Sequence, residues 1–242
     1  AYEIASCLVG SEMCIRDRPK GARTPMAMSF TPELDDSPEL GSNDTTLYQE
    51  IIGMLRWATE LGRVDMLHEL SLLSQCQASP REGHLDQLLR IVSYLQKNPK
   101  LTLHMDQDDP DVDYSDFLTD PSEFLEYYRD AKEELPHKMP RPRGKSVTTS
   151  AYVDSSHGAN KVTRRSHSGH VLFVNRTPVK WFSKRQQTVE TSAFSSEFIA
   201  LKHCIEDIEY LRFKLRMFGV PINKDRPATM ILCDNCLLYT SP

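Results

Sequence analysis

Three stretches between Leu47 and Lys97 repeat apolar residues every three or four positions, the period of a helix with one buried face. Leu47, Ile51, Leu55, Ala58 and Leu61 predict a helix from about Leu47 to Leu61, with Asp44 and Thr45 as N-caps. Met66, Leu70 and Leu73 predict a second from about Asp65 to Cys76. Leu85, Leu88, Leu89, Val92 and Leu95 form the stripe of a third, Glu82 to Lys97, stopped by Asn98-Pro99. Leu101 to Met105 alternates like a short strand. After Ser146 the sequence becomes denser in strand-like runs. Val147 to Asp154, Ser168 to Val174 and Pro178 to Ser183 predict three strands, the last two joined by the tight turn Asn175-Arg-Thr177 as an antiparallel hairpin. Phe194, Phe198, Leu201, Ile205, Ile208 and Leu215 then predict one buried face of a long helix, Ala193 to Phe218, ended by Gly219 and Pro221. The apolar run Thr229 to Asp234 reads as a fourth strand covered on both faces.

Charge adds boundaries to this picture. The 242 residues are 39% hydrophobic with a net charge of -5, room for one large or two small domains. That average hides an acidic stretch, Asp106 to Glu134, followed by a basic one opening His137-Lys-Met-Pro-Arg-Pro-Arg-Gly-Lys145. Such a split hints at nucleic-acid contact in one segment. The organisation expected is an irregular lead-in over 1–43, a helical segment over 44–105, an acidic then basic linker over 106–147, and a sheet-containing domain over 148–235. Phe124, Leu125, Tyr127 and Tyr128 would let the linker dock a short helix. Cys7 to Arg18 and the tail 236–242 read like translated adaptor sequence and are left out of the fold expectation. The six cysteines make no disulfide framework, which favours a reducing, intracellular, cytoplasmic setting. Ala1 to Gly10 lacks a basic n-region and makes a poor signal peptide, and no apolar run has transmembrane length, so neither a signal peptide nor a membrane partner is expected. Cys233-Asp-Asn-Cys236 lacks a second cysteine pair, which disfavours zinc.

Three acids stand out against this frame. Asp154 ends the first strand, Glu197 lies near the start of the long helix, and Asp234 ends the fourth strand. Singly, each reads as a turn residue or a solvated first-turn acid. Jointly, if the first and fourth strands are adjacent and parallel, all three meet where open α/β sheets carry their active sites, at the carboxyl ends of strands. Converging carboxylates repel one another unless a hard divalent cation sits among them, and magnesium prefers oxygen ligands of this kind. Arg164, Arg165, Lys180, Lys184 and Arg185 are candidate contacts to phosphate backbone, against the alternative of a solvated basic surface. Trp181 is either core or a stacking platform.

Together Ala151-Tyr-Val-Asp154, Arg164-Arg-Ser-His-Ser-Gly169, Pro178-Val-Lys-Trp181, Ser183-Lys-Arg-Gln-Gln-Thr-Val189, Ser195-Ser-Glu-Phe-Ile-Ala-Leu201 and Leu232-Cys-Asp-Asn235 resemble the ribonuclease H domain of copia-type long-terminal-repeat retrotransposon polyproteins. Upstream, Tyr48-Gln-Glu-Ile-Ile-Gly-Met-Leu-Arg-Trp57, Arg63-Val-Asp65 and Leu88-Leu-Arg-Ile-Val-Ser-Tyr-Leu95 are similar to the segment that follows the reverse-transcriptase palm in the same polyproteins. The resemblance covers about residues 44–105 and 148–235. It implies an α/β, ribonuclease H-like mixed sheet, truncated after the fourth strand and preceded by a small helical module. It also implies hydrolysis of the RNA strand of an RNA–DNA hybrid during reverse transcription, with Asp154, Glu197 and Asp234 holding two Mg2+ ions (Mn2+ as substitute) about 4 Å apart. Products would then carry 5′-phosphate and 3′-hydroxyl ends, and Ser155, Ser156 and Gly158 either approach the minor groove of the hybrid, where 2′-hydroxyls are readable, or form an ordinary turn. Its partners are the hybrid and the rest of the Pol polyprotein, both the upstream palm and a downstream ribonuclease H segment, within a virus-like particle. Three departures stand out. Arg63-Val-Asp65 replaces Arg-Pro-Asp, Glu190 takes the place of a small residue, and the family's further carboxylate belongs downstream of residue 242. The alternative is a catalytically inactive remnant that at most binds nucleic acid.

Overall fold

The computed structural model describes residues 22–110, 136–223 and 228–234. Among them, four α-helices and a mixed four-stranded sheet build an α/β architecture. The helices are α1 (Ser42–Glu60), α2 (Leu67–Leu73), α3 (Glu82–Lys97) and α4 (Ala193–Met217); the strands are β1 (Thr149–Ser156), β2 (His167–Val174), β3 (Thr177–Arg185) and β4 (Met230–Cys233). Among the described residues no helix is long and apolar enough to cross a membrane.

Helices α1 to α3 close on one core, in which Tyr48, Leu55, Met66, Leu73, Leu88 and Ile91 are wholly buried. Burying each such side chain stabilises by about 1.5–3 kcal/mol relative to leaving it in water. Polar groups lock the corners. Arg63 donates through both arms of its fork to Asp65, at 3.0 and 2.9 Å, and through its remaining nitrogen to the Asn98 carbonyl at the end of α3. Tyr94 donates to the same carboxylate. Burial alone would raise the Asp65 carboxyl, but these hydrogen bonds outweigh it and hold the group below the usual range. At the start of α3, Arg81 N–H donates to His84 Nδ1 and His84 Nε2 donates to the Pro32 carbonyl, at 3.0 and 2.8 Å.

Several boundaries differ from the periodicity. Helix α1 begins at Ser42 behind Gly41, so neither Asp44 nor Thr45 is its cap. Asp44 instead lies in the first turn, where a carboxylate complements the helix dipole. Leu61, predicted on the buried stripe, lies past the end of α1 and is 61% exposed. The second predicted helix divides into a 3-10 turn over Val64–Met66, α2, and another 3-10 turn over Ser74–Cys76. Leu101 to Met105 is not a strand. Beyond it, Thr177 Oγ1 takes both the N–H and the carbonyl of Asp106, and Asn175 and Arg176 bond the carbonyls of Gln107 and Asp109. Side chains of the β2–β3 turn thus hold this segment in place of a ladder. The predicted helix around Phe124 to Tyr128, residues 1–18 and the tail 236–242 lie outside the described residues.

The sheet order is β3-β2-β1-β4, antiparallel except for the parallel pair β1 and β4. Asn175 turns the hairpin with φ of +54° and accepts the Thr148 N–H on its side chain. Helix α4 covers one face, where Ala200, Cys204 and Ile208 meet Ala151, Val153 and Leu172. Its buried side is therefore rotated from the predicted stripe: Phe198 is 56% and Ile205 40% exposed. Ile208 and Leu201 of that stripe do meet the core, but the small residues Ala200 and Cys204 take the centre of the inward face and let the helix approach the sheet closely. Strand β4 is half-buried along its length, not covered on both faces: α4 covers the face that carries Ile231 and Cys233, and among the described residues β4 is also the edge strand.

The helical module seats on the sheet through α2 and β3. Trp181 Nε1 donates to the Thr59 carbonyl, satisfying an acceptor at the end of α1. Ser71 Oγ donates to the Ser183 carbonyl, and the His68 ring meets His167 edge-on. Trp181 is thus a half-buried structural residue of this seam. Burial, with His68 and Arg185 beside it, pushes the His167 imidazole down to about 4.

Two outcomes follow from this packing. Ala200→Leu is expected to destabilise the chain by about 1–3 kcal/mol in urea titration, as overpacking does, whereas Phe198→Ser costs at most about 0.5 kcal/mol. A larger loss at Phe198 would place the buried face where the periodicity first put it. His167 is held neutral in the fold, so its contribution is full above the ordinary histidine value near 6.5 and is lost as pH falls from there toward 4. His167→Asn is accordingly expected to flatten the decline in melting temperature between pH 6.5 and 4.

Candidate metal centre

Register decides where the acids fall. The β1–β4 ladder ends with Val153 opposite Cys233, so Asp154 and Asp234 follow it side by side; Asp154 does not end its strand, because β1 stays paired with β2 as far as Ser156, whereas Asp234 lies just past β4. Glu197 comes from the first turns of α4, which is held at its start by Ser192: Ser195 N–H donates to Ser192 Oγ at 3.1 Å. Gln186, buried after β3, donates to Ser168 Oγ and to the Ser196 carbonyl, both at 2.8 Å, and so ties the sheet to the turn that carries Glu197. One carboxylate oxygen from each of Asp154, Glu197 and Asp234 lies within 4.8 Å of the others.

The environment is uneven. Glu197 is only 5% exposed, whereas Asp154 and Asp234 face solvent. Burial raises the Glu197 carboxyl above the usual range, and the negative charges of Asp154 and Asp234 add to that, while Ser155 beside it pulls the other way. Cys233 Sγ approaches Glu197 Oε2 at 3.8 Å. A depression of about 560 Å3, lined by Tyr152, Asp154, Gly169, Val171, Leu232 and Asp234, opens beside the carboxylates. Three hard oxygen donors from three elements, with one side open to solvent, fit a magnesium- or manganese-class cation; they do not fit zinc, which favours nitrogen and sulfur. Cys236, which would complete the Cys-x-x-Cys, lies outside the described residues.

The basic candidates scatter. Lys180 is committed to Asp207 at 2.6 Å, in a cluster where Asp207 also accepts from His170 at 2.8 Å on the α4 side of the sheet. Arg164 sits in the β1–β2 loop with φ of +56°, close to Gly158. Gly158 itself needs its positive φ of +57° for the turn. Ser155 is buried beside Glu197, and Ser156 is exposed. Lys184 is exposed and Arg165 and Arg185 are half-buried, all three lining clefts at the end of β3. Sequence reading missed Gln186, which stands in a run of basic residues that looks like surface, and Ser192, whose spacing before Ser195 is an N-cap signal.

No family model matches the chain, and no solved structure matches it. It is similar to the retrovirus-related Pol polyprotein from transposon RE1 of Arabidopsis thaliana, 24% identical over 89% of this chain and 12% of that protein. It is similar also to the transposon RE2 polyprotein of the same plant, 23% identical over the same shares. A transposon Ty5-1 protein of Saccharomyces cerevisiae is 26% identical over 78% of this chain and 49% of its own length. The chain thus spans about 12% of the length of the two plant polyproteins. These likenesses, at 23–26% identity over most of the chain, support a retrotransposon Pol-polyprotein region.

Proposed function

We propose that this chain carries a ribonuclease H-type centre of a copia-type retrotransposon, hydrolysing the RNA strand of RNA–DNA hybrids with Mg2+ held by Asp154, Glu197 and Asp234. The observation that carries this reading is the meeting of those three carboxylates within 4.8 Å at the carboxyl ends of β1 and β4 and the start of α4. The order of strand, hairpin, helix and parallel strand is compatible with a ribonuclease H-like sheet. The relatives are named as retrovirus-related Pol polyproteins of transposons, which supports a nucleic-acid substrate for this site. Divalent cations, when bound, supply the Lewis acidity and water activation that phosphodiester hydrolysis requires.

The residues divide the remaining work. Asp154 and Asp234, open to solvent, face the side from which a phosphate must arrive. Glu197, buried and fixed through the α4 cap and Gln186, gives the site a rigid third ligand. The depression beside Asp154 leaves room for a sugar-phosphate backbone.

Asp154→Asn is expected to lower Mg2+-dependent cleavage of a labelled hybrid by at least about 100-fold, the scale of losing one catalytic interaction, with no loss of thermal stability. Cleavage by that variant near the wild-type rate would sink the reading. Glu197→Gln tests the charge burden separately. A carboxyl raised in the fold weakens folding as pH climbs through its ordinary value near 4.3. In EDTA, Glu197→Gln should therefore melt higher than wild type at pH 7 and equal to it below pH 4. Added Mg2+ should raise the wild-type melting temperature, because a ligand bound only to the folded state stabilises it, and should leave that of Glu197→Gln unchanged.

A further inference from the structure

Three open clefts of about 400, 400 and 450 Å3 ring the end of β3 and share its basic residues. Arg185 lines all three, Arg165 the first two and Lys184 the last two. The middle cleft is a trench between two bodies: Arg56, from α1, faces it from the helical module, and Arg165, Lys184 and Arg185 face it from the sheet. Against these four cations it holds a single acid, Glu60, in a chain whose net charge is -5. Among the described ion pairs none engages Arg56, Arg165, Lys184 or Arg185, whereas Lys180 nearby is neutralised by Asp207. Gln187 adds a neutral donor to its walls, while the Ser71 and Ser74 hydroxyls there are spent on the Ser183 and Ser71 carbonyls.

We propose that this trench seats a phosphodiester backbone of the bound nucleic acid, so that the helical module and the sheet form one binding platform; this rests on the nucleic-acid reading of the carboxylate site. Guanidinium groups on facing walls suit phosphate oxygens, which they can bond in pairs. The placement also suits it. Asp154 pairs with Gly169, and Gly169 with Ser183 in the trench, so the two lie in one row across the sheet. Residues two strands apart in a row are on the same face and separated by about 10 Å. A duplex lying over this end of the sheet with phosphate at the carboxylates therefore reaches the trench within its own width. Arg56 is the residue that distinguishes this arrangement from a basic patch on the sheet alone.

The test is fluorescence anisotropy of the full chain with a fluorescein-labelled RNA–DNA hybrid in EDTA, across a KCl series. Arg56→Glu and Lys184→Glu change exposed side chains on opposite walls; Lys214→Glu makes the same charge change about 26 Å along α4 from Glu197, from a helical rise of 1.5 Å per residue. The expected result is at least about fivefold weaker binding for each trench variant, with the salt slope reduced by about one, and little change for Lys214→Glu. Circular dichroism and melting curves verify that each variant folds. Binding by Arg56→Glu equal to that of Lys214→Glu overturns the proposal, as does a wild-type chain that binds no hybrid. The two readings fail separately. If Asp154→Asn cleaves like wild type while Arg56→Glu still loses binding, the nuclease reading fails and the trench stands. Wild-type cleavage with an unaffected Arg56→Glu does the reverse.

Discussion

The parallel ladder between β1 and β4 is the constraint on which the candidate site depends. Backbone hydrogen bonds fix Val153 against Cys233, and through them two acids are delivered to one spot. A slip of one residue would turn the side chains of β4 to the other face of the sheet and separate Asp234 from Asp154. Register is expensive to change because Ile231 and Cys233 already pack on the core under α4. Folding energy drawn from apolar contact thus holds together groups that electrostatics would drive apart.

Helix α4 completes the arrangement by how closely it lies. Ala200 and Cys204 present little bulk to Ala151, Val153 and Leu172, which lowers the helix onto the sheet and draws Glu197 out of water. The same closeness turns Phe198 and Ile205 outward. Packing that leaves aromatic rings in solvent makes sense only if the inward face is selected for distance and not for apolar area. The polar ties at Ser192 and Gln186 then fix the helix start, the part of α4 that matters to the carboxylates.

Much of this was legible in the sequence, for stated reasons. Period-3.6 patterns over many residues located the long helices because they repeat enough times to be distinctive, while the four strands were located by short apolar runs bounded by turn residues. The meeting of Asp154, Glu197 and Asp234 was legible from order alone once β1 and β4 were taken as parallel neighbours. What escaped was information carried by single contacts. The side of α4 that faces the sheet was judged only in part: Ile208 and Leu201 meet the core as the stripe predicts, whereas Phe198 and Ile205 do not, because bulk was read as burial. Leu101 to Met105 alternates as a strand does, yet no ladder receives it, and the side chains of Asn175, Arg176 and Thr177 fasten the residues just beyond it. Lys180 looked like its basic neighbours, and only the fold shows that Asp207 occupies it. Arg56 gave no signal at all, since its place in the trench depends on how α1 and β3 are juxtaposed.

The bond from Trp181 to the Thr59 carbonyl has an optical consequence. The chain has two tryptophans, and they occupy unlike settings: Trp57 is 57% exposed on α1, while Trp181 is half-buried where α1 meets β3. Indole emission shifts to longer wavelength on entering water, so the two rings give separable bands. Removing Trp57 would leave a chromophore at the contact between the two bodies, whose spectrum reports on their parting.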